Sequence, residues 1–499
     1  MGLGISRLNP DTEERLCRTG IIDVGSNSVR LVVFDGAARA PAYFFNEKVS
    51  CGLGESLRRT GQLHPQGRER ALRAIRRFSQ LADGMQLSSL TAVATAAVRE
   101  ASDGQDFCAE MKSLTGIDIH IASGEEEARL SAQGVFFGCP DADGIVCDFG
   151  GSSTELVEVS NRTVGRALTE KLGHLSLGMS GSTKKQRGLV HNSIARTRKL
   201  LDGDYACLFL VGGSWRVLAR LDMERNRYPL KVIENYQMTC DSALSTVAWA
   251  RHVGADRLRK KGLVSEERRH GVNAAGLVLT ELVKHYQPDL IQLSGYGLRE
   301  GILYDRMPVS LRRLDPLLEA CFHSEKSSAR LPGFGSKLYE FVRPLFKFRD
   351  EAFHRLAYAA CMLHDVTWRA HPDYRAEISF DNATRANLGG ITHAARIFIA
   401  LALFHRYRNS RGKPPAVYAE LLGTRDAEQA EILGKAMRFG AMFSGTSVDR
   451  IGRLKFRSKK HVLTLILPES FQDIFGEVVE MRFHSLATAM DCEPEVEIV

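Results

Sequence analysis

The stretch that decides the fold is residues 21–34, IIDVGSNSVRLVVF, because the same pattern returns further along the chain. Residues 145–159, IVCDFGGSSTELVEV, repeat its order of apolar run, Asp, Gly, small polar residues and second apolar run, 125 residues later when Asp23 is aligned with Asp148. Two β-rich runs joined by a turn of Gly, Ser and Asn predict an antiparallel hairpin. The repeat therefore predicts a duplicated domain in which each copy opens with such a hairpin.

Strands alternate with helical segments around both copies, and several of the strands end in Gly-rich turns. Strand patterns occur at Leu90–Ala94, Leu208–Val211 and Leu290–Leu293, with helical patterns between them. This alternation indicates an α/β fold of two duplicated domains, followed by a helical domain and a small closing α+β segment. The predicted boundaries are 15–138 and 139–307 for the two α/β copies, 308–440 for the helical domain and 441–499 for the closing segment.

The composition excludes disordered and fibrous classes of protein. Of the 499 residues, 44% are hydrophobic and 25% are charged, which is close to the globular average. No uninterrupted apolar run approaches the roughly 18 residues of a membrane span, so we expect no membrane partner. The ten cysteines are scattered without a CxxC pair, which indicates reduced thiols and a cytoplasmic location.

The net charge of +8 is spread unevenly. Residues 308–460 carry 26 basic and 15 acidic side chains, a net of +11, whereas the last 39 residues have a net of −7. The densest basic run is Arg453–Lys460, with five cations in eight residues. Two interpretations stay open: a solvated face that pairs with the acidic tail, or a cationic path for a polyanion such as polyphosphate or nucleic acid.

Three Gly/Ser turns follow strands, two of them related by the duplication. Glycine allows backbone N–H groups to approach an anion closely, and Ser and Asn side chains add hydrogen-bond donors. One such turn is weak support for a binding site, but three together predict a phosphate cradle between two facing domains. The candidate phosphate-binding residues are Ser26, Asn27, Ser28, Gly150, Gly151, Ser152, Ser153, Gly212, Gly213 and Ser214.

Acidic side chains stand at the strand ends beside these turns. Mg²⁺ prefers oxygen ligands, often one or two carboxylates plus a substrate phosphate, which makes Asp23, Asp148 and Glu155 the candidate metal ligands. Each also has a plain structural explanation, since a strand-end Asp often bonds its own turn. Glu155 can equally be an exposed strand residue.

Three further acidic residues, Glu125–Glu127, stand at a predicted helix start, where the positive end of the helix dipole favours them. Their mutual repulsion would raise the pKa of one, which could then serve as a general base. Arg99 follows a strand and could clamp a phosphate group, or simply lie on a helix surface.

Six motifs in this order resemble the exopolyphosphatase/guanosine pentaphosphate phosphohydrolase (Ppx/GppA) family. They are DVGSNS (23–28), TAAVRE (95–100), SGEEEARL (123–130), DFGGSSTELV (148–157), LVGGS (210–214) and SGYGLREGILYD (294–305). The family belongs to the actin-like ATPase superfamily, whose duplicated ribonuclease-H-like domains match the repeat. The resemblance implies hydrolysis of a terminal phosphoanhydride that depends on Mg²⁺, with Mn²⁺ as a substitute and a monovalent cation such as K⁺ as an addition.

The resemblance also implies roles for individual residues. Glu127, just before Ala-Arg-Leu, would be the general base, and Arg99 would hold phosphate. Asp148 and Glu155 would be the carboxylates of the metal and phosphate site. The sequence departs from the family pattern at Ser152, which replaces the middle glycine of a triple-Gly turn. The turn tolerates this change if φ is negative there.

The C-terminal part resembles the helical HD-like domain of the polyphosphatase branch. His364-Asp365 is the HD dipeptide on an apolar helix, but the upstream helix expected at 331–345 holds no His, which a working HD metal site requires. The resemblance therefore implies a degenerate HD domain that serves binding and dimerisation. We expect a homodimer, and the positive charge of this part fits a polyphosphate path.

The function expected from these features is that of an exopolyphosphatase, which releases orthophosphate processively from inorganic polyphosphate. The alternative is a pppGpp 5′-phosphohydrolase that makes ppGpp, and no short motif decides between guanosine pentaphosphate and the polymer. A non-catalytic actin-like scaffold fits less well, because Glu127 beside three phosphate turns has no role in it. A nucleic-acid partner is suggested only by Arg453–Lys460, and we do not expect one.

Overall fold

The first quoted stretch forms a hairpin within a five-stranded sheet. The computed structural model describes residues 18–36, 38–178, 183–265, 269–408, 418–445 and 452–499. Strand β1 (Thr19–Val24) pairs antiparallel with β2 (Ser28–Phe34), which places Asp23 opposite Arg30 near the turn. On its other side β1 has a parallel neighbour, the strand Ser89–Ala94. The first predicted hairpin is therefore confirmed.

The second quoted stretch forms the same hairpin in a separate sheet. Here the strand Gly144–Phe149 pairs antiparallel with Thr154–Ser160, which places Asp148 opposite Glu155. The strand Cys207–Val211 then lies parallel to the first strand of this hairpin, as in the first sheet. The second predicted hairpin is also confirmed.

The remaining strands complete the two sheets in a common order. After β1 and β2, the strands of the first unit are β3 (Tyr43–Ser50), β4 (Ser89–Ala94), β5 (Ile119–Ile121), β6 (Gly144–Phe149), β7 (Thr154–Ser160), β8 (Thr163–Glu170), β9 (Cys207–Val211), β10 (Gln237–Met238) and β11 (Leu290–Ser294). The first sheet has the order β3-β2-β1-β4-β5, and the second has β8-β7-β6-β9-β11 with β10 at its edge. This shared order confirms the predicted duplication of an α/β domain.

Helices connect and cover these strands. They are α1 (Leu57–Thr60), α2 (Pro65–Gly84), α3 (Ala96–Glu100), α4 (Gly104–Thr115), α5 (Gly124–Gly138), α6 (His174–Gly178), α7 (Thr183–Leu200), α8 (Gly213–Arg225), α9 (Cys240–Val253), α10 (Ala255–Lys260), α11 (Arg269–Tyr286), α12 (Leu298–Arg306) and α13 (Val309–Arg312). Helix α5 begins after Ser123, whose side chain accepts a hydrogen bond from the N–H of Glu126. This cap fixes the helix start at the three glutamates.

Helices α5 and α12 approach each other through glycines. A Cβ atom at Gly301 would lie 1.7 Å from the carbonyl oxygen of Leu130, and one at Gly134 would lie 2.3 Å from that of Gly297. No side chain fits at either contact. The glycines therefore hold α5, the helix that begins with the three glutamates, close against α12 and the segment that leads into it.

The chain divides into two compact units between Leu314 and Asp315, a few residues after the boundary expected at 307/308. The second unit contains the helices α14 (Pro316–Ser328), α15 (Phe334–Val342), α16 (Glu351–Leu363), α17 (Arg375–Arg385), α18 (His393–Tyr407), α19 (Ala419–Leu422), α20 (Thr424–Ser444) and α21 (Glu477–Ala489). Its strands β12 (Arg453–Arg457), β13 (Val462–Leu467) and β14 (Glu493–Ile498) form one sheet in that order. Short 3-10 helices cover Arg343–Phe346, Pro372–Tyr374, Ser458–Lys460 and Glu469–Ile474. The part expected to be helical is helical.

The boundary expected at 440/441 falls inside α20, which continues to Ser444. Aromatic packing explains the continuation, because Phe439 stacks on Phe443 and also packs against Phe483 of α21, with ring centroids 5.4 and 5.3 Å apart. The closing segment thus shares its core with the last long helix of the preceding part.

His364 and Asp365 directly follow α16, rather than lying within a helix. The side chain of Arg330 donates two hydrogen bonds to Asp365, from Nη2 to Oδ1 over 2.6 Å and from Nε to Oδ2 over 2.8 Å, and its backbone N–H donates a third to Oδ2 over 3.3 Å. His364 is buried, and its Nδ1 lies 2.8 Å from the carbonyl oxygen of Cys361. Among the described residues no cluster of three metal ligands forms here. Both groups have structural partners, as a degenerate HD dipeptide requires.

The acidic tail and the basic run belong to the same small sheet. Arg457 on β12 reaches across β13, where it donates to Thr464 over 3.1 Å, and forms an ion pair with Glu495 on β14. The two segments therefore pair at this one arginine, as the first interpretation of the basic run expects.

The structure also bears on the expectations about membrane spans and cysteines. Within the described ranges, no helix has both the length and the apolar character needed to cross a bilayer. Every cysteine from Cys51 onwards is free, and those that are not buried are partly buried.

Candidate active site

The turns of the two hairpins share one backbone geometry and meet each other. In each turn the N–H of the leading glycine, Gly25 or Gly150, donates to the carbonyl oxygen of the serine three positions later over 3.0 Å. The turns also touch through side chains, since Ser152 Oγ donates to Ser26 Oγ over 2.8 Å. The duplicated sequence thus builds two matched turns at one place.

The third turn depends on glycine, whereas the turn that departs from the family pattern does not. Gly212 has a φ of 120°, and a Cβ there would lie 3.0 Å from the carbonyl oxygen of Phe149 and 3.2 Å from Oδ1 of Asp148. It leads into α8, whose N-terminal end favours an anion. Ser152 is not among the residues with positive φ, so serine fits there without strain, as expected.

A cleft of about 270 Å³ lies where the three turns come together. All ten residues proposed to bind phosphate line it, together with Asp23, Glu127 and Asp148. Arg99 and Glu155 stand outside this lining, Arg99 next to Glu127 and Glu155 next to Asp148 on the paired strand. The structure therefore gathers the predicted residues at one place, although their binding of phosphate stays a prediction.

Four cations that the sequence reasoning missed also line the cleft: Arg30, Lys48, Arg216 and Arg299. Two of them lay within quoted motifs. Arg30 belongs to the first hairpin, and Arg299 to SGYGLREGILYD. Their positive charge suits a cleft that takes phosphate groups, which carry several negative charges.

Glu127 is the one of the three glutamates that faces the cleft. Its side chain is 13% exposed, and Arg99 Nη1 donates to its Oε2 over 2.9 Å. Burial raises the pKa of Glu127 to about 7, although the charge of Arg99 acts in the opposite direction. Glu126 instead lies 2.7 Å from Nε2 of the more exposed His120. A carboxylate poised near neutral pH is suited to accept a proton from water.

The pairing of Arg99 with Glu127 differs from the expected role of Arg99 as a phosphate clamp. Its Nη1 also donates to the carbonyl oxygen of Ala122 over 2.7 Å, which fixes the guanidinium beside the start of α5. In this position Arg99 orients Glu127 and lowers the pKa of its carboxyl group.

The remaining carboxylates are buried close to one another. Burial raises the pKa of Asp148 to about 6, and it raises the pKa of Asp23 and, more strongly, of Glu155. Asp148 accepts a hydrogen bond from Ser131, and Asp23 forms an ion pair of 3.3 Å with Arg299. Placing these acids together has an electrostatic cost that a bound cation would offset.

The residues present fit a magnesium ion that is held together with substrate. The buried Oε1 of Glu155 has no hydrogen-bond partner within the described ranges, and its carboxylate neighbours that of Asp148 on the paired strand. In the same ranges Asp23, Asp148 and Glu155 do not form a compact group of three ligands. Because Mg²⁺ often takes only one or two carboxylates plus phosphate and water oxygens, Asp148 and Glu155 suit it best.

A cleft lined by three Gly/Ser turns and four cations, with a mostly buried carboxylate whose pKa is raised to about 7, has the features that a phosphohydrolase needs. Comparison with known proteins identifies its kind, since the Ppx/GppA phosphatase family profile matches residues 32–310 and the profile "Exopolyphosphatase, C-terminal" matches residues 345–493. The chain belongs to the Ppx/GppA phosphatase family, as its motifs indicated.

Two curated relatives illustrate the similarity. Exopolyphosphatase 1 of Mycobacterium tuberculosis is 26% identical over 328 residues, which cover 62% of this chain and 92% of the relative. Retrograde regulation protein 2 of Saccharomyces cerevisiae is 26% identical over 466 residues, which cover 83% of this chain and 77% of the relative.

Solved structures share the fold. The Ppx/GppA family member of Aquifex aeolicus is 22% identical with a TM-score of 0.51, and the match covers 58% of this chain and 97% of that one. An exopolyphosphatase from Cytophaga hutchinsonii is 24% identical with a TM-score of 0.51, and the match covers 57% and 96%. The actin-like fold expected for the first unit is confirmed.

Proposed function

We propose that the protein is an exopolyphosphatase that hydrolyses the terminal phosphoanhydride of inorganic polyphosphate with Glu127 as general base. The observation that carries this proposal is the position of Glu127, a buried carboxylate with a pKa of about 7, in the lining of the cleft that the three Gly/Ser turns form. A base with a pKa close to the working pH combines a large ionised fraction with a useful proton affinity.

In the reaction, the oxygen of a water molecule attacks the terminal phosphorus while Glu127 accepts a proton from that water. The bond between the phosphorus and the bridging oxygen breaks, and the shortened chain leaves with that oxygen. The backbone N–H groups and hydroxyls of the turns hold the non-bridging oxygens, and Arg30 and Arg216 balance their charge. Positioning and charge neutralisation supply most of the catalysis of such a transfer.

The proposed cofactor is Mg²⁺, with Mn²⁺ as a substitute and K⁺ as an addition. Asp148 and Glu155 would hold the divalent ion, which neutralises phosphate charge when bound. Asp23 is less suited, because its carboxylate is already paired with Arg299.

The preference for polyphosphate rests on the second half of the chain. The profile that matches residues 345–493 is described as the C-terminal part of exopolyphosphatases, and a relative of similar sequence carries the name exopolyphosphatase. The net charge of +11 over residues 308–460 suits a long polyanion. Guanosine pentaphosphate would use the same cleft and stays the alternative substrate.

The test measures orthophosphate release from long-chain polyphosphate with Mg²⁺, in the wild type and in Glu127→Gln. The amide keeps the shape of the side chain and cannot accept the proton, so we expect the rate to fall about 10²- to 10⁴-fold. Glu126→Gln is the matched control, because this neighbour on the same helix turn faces His120 instead of the cleft. Its rate should stay near that of the wild type.

Assays with polyphosphate and pppGpp distinguish the two substrates. Much faster turnover of pppGpp would make the protein a guanosine pentaphosphatase, and an inactive wild type on both would overturn the proposal. Equal rates for Glu127→Gln and the wild type would remove Glu127 as the base while leaving the substrate in place.

We also propose a homodimeric, cytoplasmic enzyme. The resemblance of the second unit to a dimerising HD-like domain supports the dimer, and free cysteines suit a reducing compartment. Light scattering on the purified chain tests the homodimer, and a monomer at micromolar concentration would contradict it. Fractionation of cells that express the chain tests the cytoplasmic location.

A further inference from the structure

A second group of ligand-type side chains lies outside the catalytic cleft, on the second α/β domain. It consists of His191 on α7 with Glu281 and His285 on α11. Within the described ranges this is the group of three His, Cys, Asp or Glu side chains whose ligand atoms all lie within 4.8 Å of one another. None of the three lines the cleft or has a role in the proposed hydrolysis.

The three ligand atoms form a small triangle. Oε2 of Glu281 lies 2.8 Å from Nδ1 of His191 and 3.3 Å from Nε2 of His285, and the two nitrogens are 3.5 Å apart. In a tetrahedral zinc site with bonds of 2.0–2.1 Å, neighbouring ligand atoms are about 3.3 Å apart. The observed separations bracket this value, so an ion could enter with small side-chain adjustments.

The backbone on both sides of the triangle is firmly held. Val190 and Ile194 of α7 and Val278 and Leu282 of α11 are buried in one hydrophobic core. The hydroxyl of Tyr286 on α11 also donates a hydrogen bond to Oγ1 of Thr197 on α7 over 3.0 Å. Since Glu281 and His285 are one helix turn apart, a single packed helix pair presents all three ligands.

Access to the triangle is open from solvent. The exposed fraction is 46% for the side chain of His191, 20% for Glu281 and 19% for His285. A metal ion can therefore reach the site, and water can complete its coordination. Three protein ligands with one open position is a common zinc arrangement.

We propose that His191, Glu281 and His285 bind one transition-metal ion of the Zn²⁺ type and thereby clamp α7 to α11. The two imidazole nitrogens exclude Mg²⁺ as the preferred ion, because magnesium favours an all-oxygen shell. The site is thus chemically distinct from the carboxylate site of the cleft. Binding at the triangle stabilises the folded chain, since the three ligands lie together only when α7 packs on α11.

The experiment uses Co²⁺ as a coloured substitute for Zn²⁺ on the full chain, with Mg²⁺ present in excess to occupy oxygen-only sites. We expect one equivalent of Co²⁺ to give the intense visible absorption of a low-coordinate ion with nitrogen ligands, and Zn²⁺ to abolish it. His191→Ala and His285→Ala should each lose this absorption. Zn²⁺ should also raise the unfolding temperature of the wild type but not of either variant.

The matched control is His484→Ala. His484 and Glu480 form a Glu–His pair with the same spacing of four residues on α21, and no third ligand lies within reach among the described residues. This variant should keep both the absorption and the stabilisation by Zn²⁺. Phosphate release by all three variants, measured with Mg²⁺ alone, shows that they are folded.

Two results would overturn the proposal. One is a wild type that shows no one-equivalent absorption, which would make the triangle an ordinary His–Glu hydrogen-bonded cluster. The other is an absorption that persists in both His191→Ala and His285→Ala, which would place the ion elsewhere, for instance at a free thiol. Neither result bears on Glu127 and the hydrolysis.

Discussion

Replacing Arg99 by glutamine tests whether this residue adjusts the pKa of the proposed base, Glu127, or holds the substrate. Arg99 and Glu127 are 2.9 Å apart and are both mostly buried, with exposed fractions of 22% and 13%. An opposite charge at such a distance lowers the pKa of a carboxyl group by about one to three units. Its removal should therefore raise the pKa of Glu127 above its present value of about 7 by a similar amount, because the burial that already raises it remains.

The consequence appears in the pH profile of kcat for polyphosphate hydrolysis. Only the ionised form of Glu127 accepts a proton, so the acidic limb moves to higher pH by the same amount as the pKa. At pH 7 the ionised fraction falls from about one half to between about one tenth and one thousandth. The rate at pH 7 should fall in proportion and should recover in alkaline buffer.

A second arginine provides the control. Arg68 pairs with Glu110 over 2.7 Å and has a similar exposed fraction of 24%, but neither residue lines the cleft. Arg68→Gln should leave the pH profile of kcat unchanged. An Arg99→Gln profile whose acidic limb coincides with that of the wild type, together with a raised KM, would refute the tuning argument. It would support the phosphate-clamp role that the family resemblance implies.

Three further expectations follow from the structure. Gly212→Ala places a Cβ against Phe149 at a residue with positive φ, so it should lower the free energy of unfolding in urea by about 1–3 kcal/mol and abolish activity. The control Gly188→Ala, whose Cβ meets open space on α7, should not destabilise the chain. Arg330→Met removes both side-chain donors from the buried carboxylate of Asp365 and leaves it the backbone N–H at position 330, so it should cost about 1–3 kcal/mol by the same measurement. At a temperature where the variant is folded, kcat should stay unchanged. Removal of divalent ions by a chelator should abolish phosphate release, and Mg²⁺ should restore it; activity that survives chelation would argue against the proposed ion.

The parts of the site that could be predicted are those encoded locally. The two hairpins and their turns are visible in the sequence, because alternating apolar runs and Gly/Ser turns act over a few residues. The cap at Ser123 and the adjacent glutamates are equally local. Local patterns could not show which glutamate faces the cleft, since that depends on how α5 packs against α12 through Gly134 and Gly301; only the family resemblance singled out Glu127.

Arg216 and Arg299 were missed because their partners are distant along the chain. Arg299 meets Asp23 across 276 positions, and no pattern within a single segment reports such a contact. A similar reason applies at the boundary expected at 440/441, which stays a prediction although α20 runs through it. The continuation of α20 to Ser444 depends on the packing of Phe439 against Phe483, which belongs to a later helix.

The duplication explains how positive and negative side chains are distributed between the two hairpins of the cleft. The two hairpins place their aspartates, Asp23 and Asp148, at equivalent positions, but the residue opposite differs: Arg30 in the first copy and Glu155 in the second. The first hairpin therefore presents an arginine beside its aspartate, whereas the second presents two carboxylates. A phosphate group is attracted to the first arrangement and a divalent cation to the second. One exchange of sign at a repeated position would thus let two copies of the same turn serve the two halves of the proposed metal and phosphate site.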